Sequence, residues 1–302
     1  MKLPANPLKD SPTIVVIAIA GGAFLIAIIL AVLTVFYKNQ AAPLGIVQFP
    51  ESLGIAPSSI TAKAAIVYDP VEKKVLFAKN ADTPLPLASL TKLMTAQTVL
   101  GLQQDTQSVS ITANDLSPEG DWGFLPGDVW RLRDLLRFGL VASANDAMAA
   151  AAAAASPHII DEMNRTAGSL GLSQTYFLNP TGLDVDPETA GAYGSAYDMA
   201  VLASTFLGQY PTLFEATTQS SVTIQSGATI LHASSTDTPI LDIPGLIAAK
   251  TGYTDLAGGN LVAIFDIEIG RPVVIAVLGS TKEARFSDVR TLIDAVRTPP
   301  IR

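Results

Sequence analysis

Short apolar runs of strand length cluster near both ends of this chain, and a long helical stretch separates them. Ala64–Tyr68 and Lys74–Ala78 flank Asp69-Pro70-Val71-Glu72 and read as a β-hairpin. Further strands are expected at Ser221–Ile224, Thr229–Leu231, Leu261–Phe265 and Val273–Leu278. Between these groups, Leu132 to Leu207 is helical in character, through Leu132–Phe138, the alanine run Ala149–Ala155 and Ile159–Leu170. Alanine is the best helix former and packs closely, so the run predicts a tight interior helix. A final helix over Glu283–Val296 stops before Thr298-Pro299-Pro300. Strands from both termini that must share one core predict an antiparallel sheet with a helical subdomain inserted in it, an α/β fold of the α+β type.

Ahead of that domain, no charged residue occurs from Ser11 to Tyr37. About 20 apolar residues cross a bilayer as helix, so this stretch is long enough. It exceeds the roughly 7–15 apolar residues of a cleaved signal peptide, and Gln40-Ala41-Ala42 matches a cleavage site poorly. The expected organisation is a short tail over 1–12, a transmembrane signal-anchor helix over 13–37, a linker over 38–59 and one large domain over 60–298. Pro43, Pro50 and Pro57 punctuate the linker. Lys2 and Lys9 precede the span while Lys38 alone follows closely, which places the short N-terminus inside and the large domain on the extracytoplasmic face, periplasmic or outer.

The formal net charge is −8, with no long run of Lys or Arg, which argues against nucleic acid as a partner. The chain has no cysteine, so disulfides, thiolate metal sites and cysteine nucleophiles are excluded. Its two histidines, His158 and His232, stand in unrelated contexts, neither in a nucleophile elbow nor at metal-ligand spacing. Hydrolysis by this chain would need a base other than histidine.

Ser89 and Lys92, in Pro86–Ala96, sit three apart at a predicted helix start. Three-residue spacing puts both on one face, and the helix N-terminus favours negative charge near the serine. A serine becomes a nucleophile when a base takes its proton, which a lysine of lowered pKa does. The same pair also reads as an N-cap and a solvated charge. Ser143-Ala144-Asn145 places a hydroxyl and an amide in an apolar stretch, or caps the helix of the alanine run. Lys250-Thr251-Gly252 places a cation and a hydroxyl at the start of a strand, or forms a turn.

Taken together in this order, Ser-x-x-Lys, Ser-x-Asn and Lys-Thr-Gly form the set found in penicillin-binding proteins and serine β-lactamases. The chain resembles the low-molecular-mass penicillin-binding proteins that act as serine D-alanyl-D-alanine carboxypeptidases, the peptidase S11 group. The resemblance is carried by Ala64–Pro70, Ala88–Thr95, Ser143–Ala147, Asn179–Asp184, Lys250–Thr254 and Glu283–Phe286, and it covers about Thr61 to Val296. The family often has Ser-Gly-Asn and Gly-Ile-Lys-Thr-Gly where this chain has Ser143-Ala144-Asn145 and Ala248–Gly252, changes that leave the polar groups in place.

This resemblance implies a β-lactamase/transpeptidase-like fold. It also implies that Ser89 attacks the carbonyl between two D-alanines of a peptidoglycan stem peptide, while Lys92 takes its proton. Ser143 would relay a proton to the leaving amine, and Asn145 would hold the substrate amide and Lys92. Lys250 would supply positive potential and Thr251 a hydrogen bond to the substrate carboxylate. Gly252 completes that motif, and the amides of Ser89 and Tyr253 are candidates for the oxyanion hole. No metal or cofactor is implied; β-lactams would be covalent inhibitors. Other readings are a DD-endopeptidase, a serine β-lactamase and a non-catalytic peptidoglycan-binding protein. A class A β-lactamase would carry a Glu where Thr175 begins Thr175–Asn179.

Overall fold

A computed structural model describes residues 53–297. The expected tail and transmembrane span, 1–37, and most of the expected linker lie outside the described residues. In chain order the strands are β1 (Ala64–Asp69), β2 (Lys74–Lys79), β3 (Leu85–Pro86), β4 (Ser108–Ser110), β5 (Val129–Arg131), β6 (Tyr176–Phe177) and β7 (Ala192–Gly194). They continue as β8 (Ser221–Ser226), β9 (Thr229–Ser234), β10 (Leu246–Thr254), β11 (Gly258–Glu268) and β12 (Arg271–Ser280). The helices are α1 (Thr91–Leu102), α2 (Leu132–Val141), α3 (Asn145–Ala155), α4 (Ile159–Ser169), α5 (Ala196–Gln209), α6 (Pro211–Glu215) and α7 (Ala284–Arg297).

The main sheet runs β10-β11-β12-β1-β2, antiparallel throughout. It joins strands from both ends of the domain, as the apolar pattern predicts. The central strands carry almost unbroken apolar runs because both faces of the sheet are covered. Side chains alternate between faces along a strand. Ala64, Ile66 and Tyr68 of β1 therefore enter the cluster shared with the helical region, with Val262 and Ile264 of β11 and Val274, Ala276 and Leu278 of β12. Their neighbours Ala65, Val67, Leu261, Ala263, Phe265, Val273, Ile275 and Val277 face the opposite cluster, where α7 contributes Val289, Leu292 and Ile293.

The helical middle is real, and the alanine run lies in α3 with Ala150, Ala151 and Ala152 buried. It packs on α2, where a Cβ at Gly139 would overlap Met148. The sequence pattern overlooked small sheets within this region. β6 and β7 join β3 in a three-stranded sheet, and β4 pairs with β5. The strands at 221–226 and 229–234 form their own hairpin, β8–β9, outside the main sheet. Packing also begins earlier than residue 60: Leu53 and Ile55 lie against the α7-side cluster.

Two polar ties position the segment that leads into the site. Asn260 on β11 donates through Nδ2 to the Pro86 carbonyl at 2.9 Å and accepts from the Gly279 amide at 2.8 Å. Asp288 on α7 accepts from the amides of Thr61 (2.8 Å) and Ala62 (2.9 Å) and from the Ser280 hydroxyl (2.6 Å), fixing the domain's first strand to its last helix.

Candidate active site

The structure corrects the local reading of all three motifs. Ser89 is not an N-cap. It sits in a 3-10 turn, Ala88–Leu90, and α1 begins two residues later with no side-chain cap. Ala88 has φ 48°, in the left-handed region, and this twists the chain so that Ser89 faces Lys92 rather than the helix amides. Ser143 does not cap α3 either. The cap position is Ala144, and Ser143 itself has φ 60°. Two non-glycine residues in this sparsely populated region, each at or beside a motif serine, mark backbone strain held in place by the surrounding packing. Lys250-Thr251-Gly252 lies within β10 rather than at its start or in a turn.

These rearrangements bring the three motifs together. Lys92 is fully buried, and its Nζ lies 2.8 Å from Ser89 Oγ, 2.6 Å from Asn145 Oδ1 and 2.8 Å from the Thr181 carbonyl. The Asn145 orientation is fixed from its other end, where Nδ2 donates to the Glu119 carbonyl at 2.6 Å. Two of the three Lys92 partners, the Asn145 and Thr181 oxygens, can only accept. A neutral amine has two N–H donors and one lone pair. With both donors used on those oxygens, its lone pair is left for the Ser89 hydroxyl, the arrangement a general base requires. Burial, then the Lys250 charge, hold Lys92 well below the ordinary lysine value, with Asp146 pulling the other way. Asp146 is itself pushed up to about 6 by burial, against hydrogen bonds from the Ala147 and Trp122 amides.

Lys250 is equally buried but differently surrounded. Its Nζ donates to Ser143 Oγ at 3.0 Å and to the Thr251 carbonyl at 2.8 Å. Burial lowers it to about 8, with Asp237 opposing that shift and Arg285 adding to it. The Thr251 hydroxyl lies 2.7 Å from that of Thr236. Gly252 lets β10 approach the nucleophile's turn: a Cβ there would stand 3.1 Å from Ser89 N and 2.9 Å from the Leu87 carbonyl. The Ala249 and Thr251 amides donate away from β11, to Thr217 Oγ1 and Asp237 Oδ1. Strand alternation then puts the Tyr253 amide on the same free edge, alongside the Ser89 turn.

Ser89, Ser143 and Asn145 open onto a cleft of about 1040 Å³, with Glu119 and Trp122 on one wall and Tyr253 among its other lining residues. Every residue singled out from the three motifs thus belongs to one cluster, with Ser89 and Ser143 lining the cleft and the two lysines buried behind them. His158 and His232 do not line it.

Some participants have no counterpart among the predicted site residues. Thr181 acts through its carbonyl, aimed at Lys92 by a turn in which Asn179 Oδ1 accepts from the Thr181 amide (3.1 Å) and the Gly182 amide (2.7 Å). Asn179–Asp184 carried part of the family resemblance, so the signal was present without a role attached. Asp146, Asp237 and Arg285 supply charge from outside the three motifs. The Thr175 hydroxyl donates to Asp198 at 2.7 Å, and Thr175 does not line the cleft.

Residues 52–282 match the Peptidase S11 family, described as D-alanyl-D-alanine carboxypeptidase. The chain is 31% identical over 243 residues to D-alanyl-D-alanine carboxypeptidase DacF of Bacillus subtilis (strain 168), a match covering 77% of this chain and 61% of that protein's length. The structure of a D-alanyl-D-alanine carboxypeptidase from Mycobacterium tuberculosis H37Rv is similar at a TM-score of 0.70 and 27% identity, covering 84% of this chain and 94% of that one. Penicillin-binding protein D2 of Listeria monocytogenes, in its ampicillin-bound form, is similar at 0.66 and 31%, covering 78% and 97%.

Proposed function

The chain belongs to the peptidase S11 family, and we propose that it is a serine D-alanyl-D-alanine carboxypeptidase that removes the terminal D-alanine from peptidoglycan stem pentapeptides. The observation that carries this reading is the environment of Lys92 Nζ, with two acceptor-only oxygens and the Ser89 hydroxyl around a fully buried amine.

Ser89 Oγ attacks the carbonyl between the two D-alanines as Lys92 takes its proton. The amides of Ser89 and Tyr253 stabilise the oxyanion that forms. Ser143, held by Lys250, passes a proton to the leaving amine and is reprotonated by the Lys92 ammonium, so the C–N bond breaks, D-alanine departs and Lys92 is again neutral. Asn145 keeps Lys92 in register and meets the substrate amide. The Thr251 hydroxyl and the positive field of Lys250 and Arg285 receive the substrate carboxylate. Water then hydrolyses the Ser89 ester. β-Lactams enter the same chemistry as covalent inhibitors, and with Thr175 in place of a glutamate the adduct is expected to persist. The catalytic domain is assigned to 60–298. The uncharged stretch before it is proposed as a single-pass anchor over 13–37 that, with a linker over 38–59, holds the domain on the extracytoplasmic face.

Mass spectrometry of the protein after incubation with penicillin, with a stem pentapeptide and with a cross-linked dimer tests this reading. A lasting adduct on Ser89 and free D-alanine from the pentapeptide are expected, both lost in Ser89→Ala. Cleavage of the dimer alone would make the protein an endopeptidase, rapid turnover of penicillin a β-lactamase, and an unaffected Ser89→Ala would refute the nucleophile.

A further inference from the structure

Asp237 is a fully buried carboxylate that none of the three motifs contains. It lies just ahead of a short turn, Thr238–Ile240, thirteen residues before Lys250. Its Oδ1 accepts from the Thr251 amide at 3.0 Å, which pins the middle of β10. Its Oδ2 is buried and accepts no hydrogen bond among the described residues. A buried acceptor left in this state is costly unless charge around it compensates. Two buried cations do so. Lys250 comes from β10, and Arg285 comes from the first turn of α7, where it donates to the Gly252 carbonyl at 2.7 Å.

We propose that Asp237 is a positioning residue that, by holding the Thr251 amide beside Lys250, aims the lysine at Ser143 and compensates its buried charge. This rests on the carboxypeptidase reading above. Without the carboxylate, Lys250 and Arg285 are two buried like charges with nothing between them to offset the repulsion, and the lysine is the one that sheds its proton. The other charged groups around the pair act in known directions. Lys92 on α1 is lowered by the Lys250 charge, Asp146 on α3 opposes that, and Glu283 and Tyr253 act on Arg285. Asp237 itself is raised by burial, an effect opposed by Lys250, by the Thr251 hydroxyl and amide, and by Arg285. It acts on Lys250 through charge, since its Oδ1 accepts from the Thr251 amide and not from the lysine. Asp237 touches neither the cleft nor a reacting atom.

The sign follows from the active form. The ammonium of Lys250 is the useful state, so Ser89 acylation falls as pH rises through about 8. Removing a neighbouring negative charge disfavours the ammonium and moves that limb to lower pH, by about one unit or more. Acylation of the full chain by a fluorescent penicillin, followed from pH 6 to 9, is the test. Asp237→Asn keeps an oxygen for the Thr251 amide. For a one-unit shift it should acylate at nearly the wild-type rate at pH 6, about threefold slower at pH 7.5 and close to tenfold slower at pH 9. Asp237→Glu should move the limb back toward the wild-type position, and Arg285→Gln should move it upward, which keeps the test alive if Asp237→Asn does not fold. An unshifted limb in Asp237→Asn, or a uniform loss at every pH, would overturn the proposal. Absence of any Ser89 adduct in the wild-type chain would instead refute the carboxypeptidase reading.

Discussion

The site contains two fully buried lysines, each bonded to a serine, and the charges around them differ. Lys92 meets Ser89 at 2.8 Å and Lys250 meets Ser143 at 3.0 Å. Burial lowers both, so burial does not distinguish them. The neighbouring charge does. For Lys92 the largest charge effect comes from another cation, Lys250, ahead of the opposing Asp146, and its partners besides Ser89 are the Asn145 and Thr181 oxygens. Lys250 has a buried carboxylate, Asp237, working to keep its proton, and it stays near 8. Two titratable groups of one type whose surroundings push them apart give the acid–base assignment directly. The mechanism proposed above uses them accordingly, Lys92 as the base and Lys250 as the fixed cation.

Lys92→Ala removes the base and should show the largest effect. General-base removal costs up to about ten-thousandfold, and a drop of about a thousandfold in acylation by penicillin is expected, without the acid limb of the pH profile. Retained activity with an intact acid limb would mean another group takes the Ser89 proton. Lys250→Ala should slow acylation about a hundredfold, the cost of losing one electrostatic donor. It should also raise the acid limb, because Lys92 loses the neighbour that lowers it. A slow rate with an unmoved acid limb would separate the two lysines electrically. Gly182→Ala disturbs the pair from outside. A Cβ there would overlap the Ala88 carbonyl, and φ at this position is 80°. The variant should lose about 1–3 kcal/mol of stability in thermal melting. Acylation should fall by about tenfold as the Ser89 turn shifts, in line with the sensitivity of positioned groups to small displacements.

The two lysines and two serines were legible because each is a reactive side chain at recognisable spacing. The sheet was legible for a related reason: β1, β11 and β12 are covered on both faces, so their apolar runs are long and plain. What the sequence concealed was backbone work and distant charge. Nothing in the residue type of Ala88 or Ser143 signals a left-handed φ, and that conformation is why both serines serve the lysines instead of capping helices. Thr181 contributes a carbonyl, which any residue has. Asp237 stands in a stretch of Ser, Thr and Pro to which no motif attaches a role, and only the folded chain brings it near Lys250. The hairpin β8–β9 was visible as two strands, but its separation from the main sheet depends on packing no local pattern records.

The rate of Ser89 acylation by penicillin as a function of pH, in the unaltered chain, tests the division between the two lysines most directly. The rate should rise as Lys92 loses its proton, well below the ordinary lysine range, and fall again through about 8 as Lys250 loses its own. A rate that climbs without a break to pH 10 would contradict it, because Lys92 would then be an ordinary lysine and the charge on Lys250 would not matter.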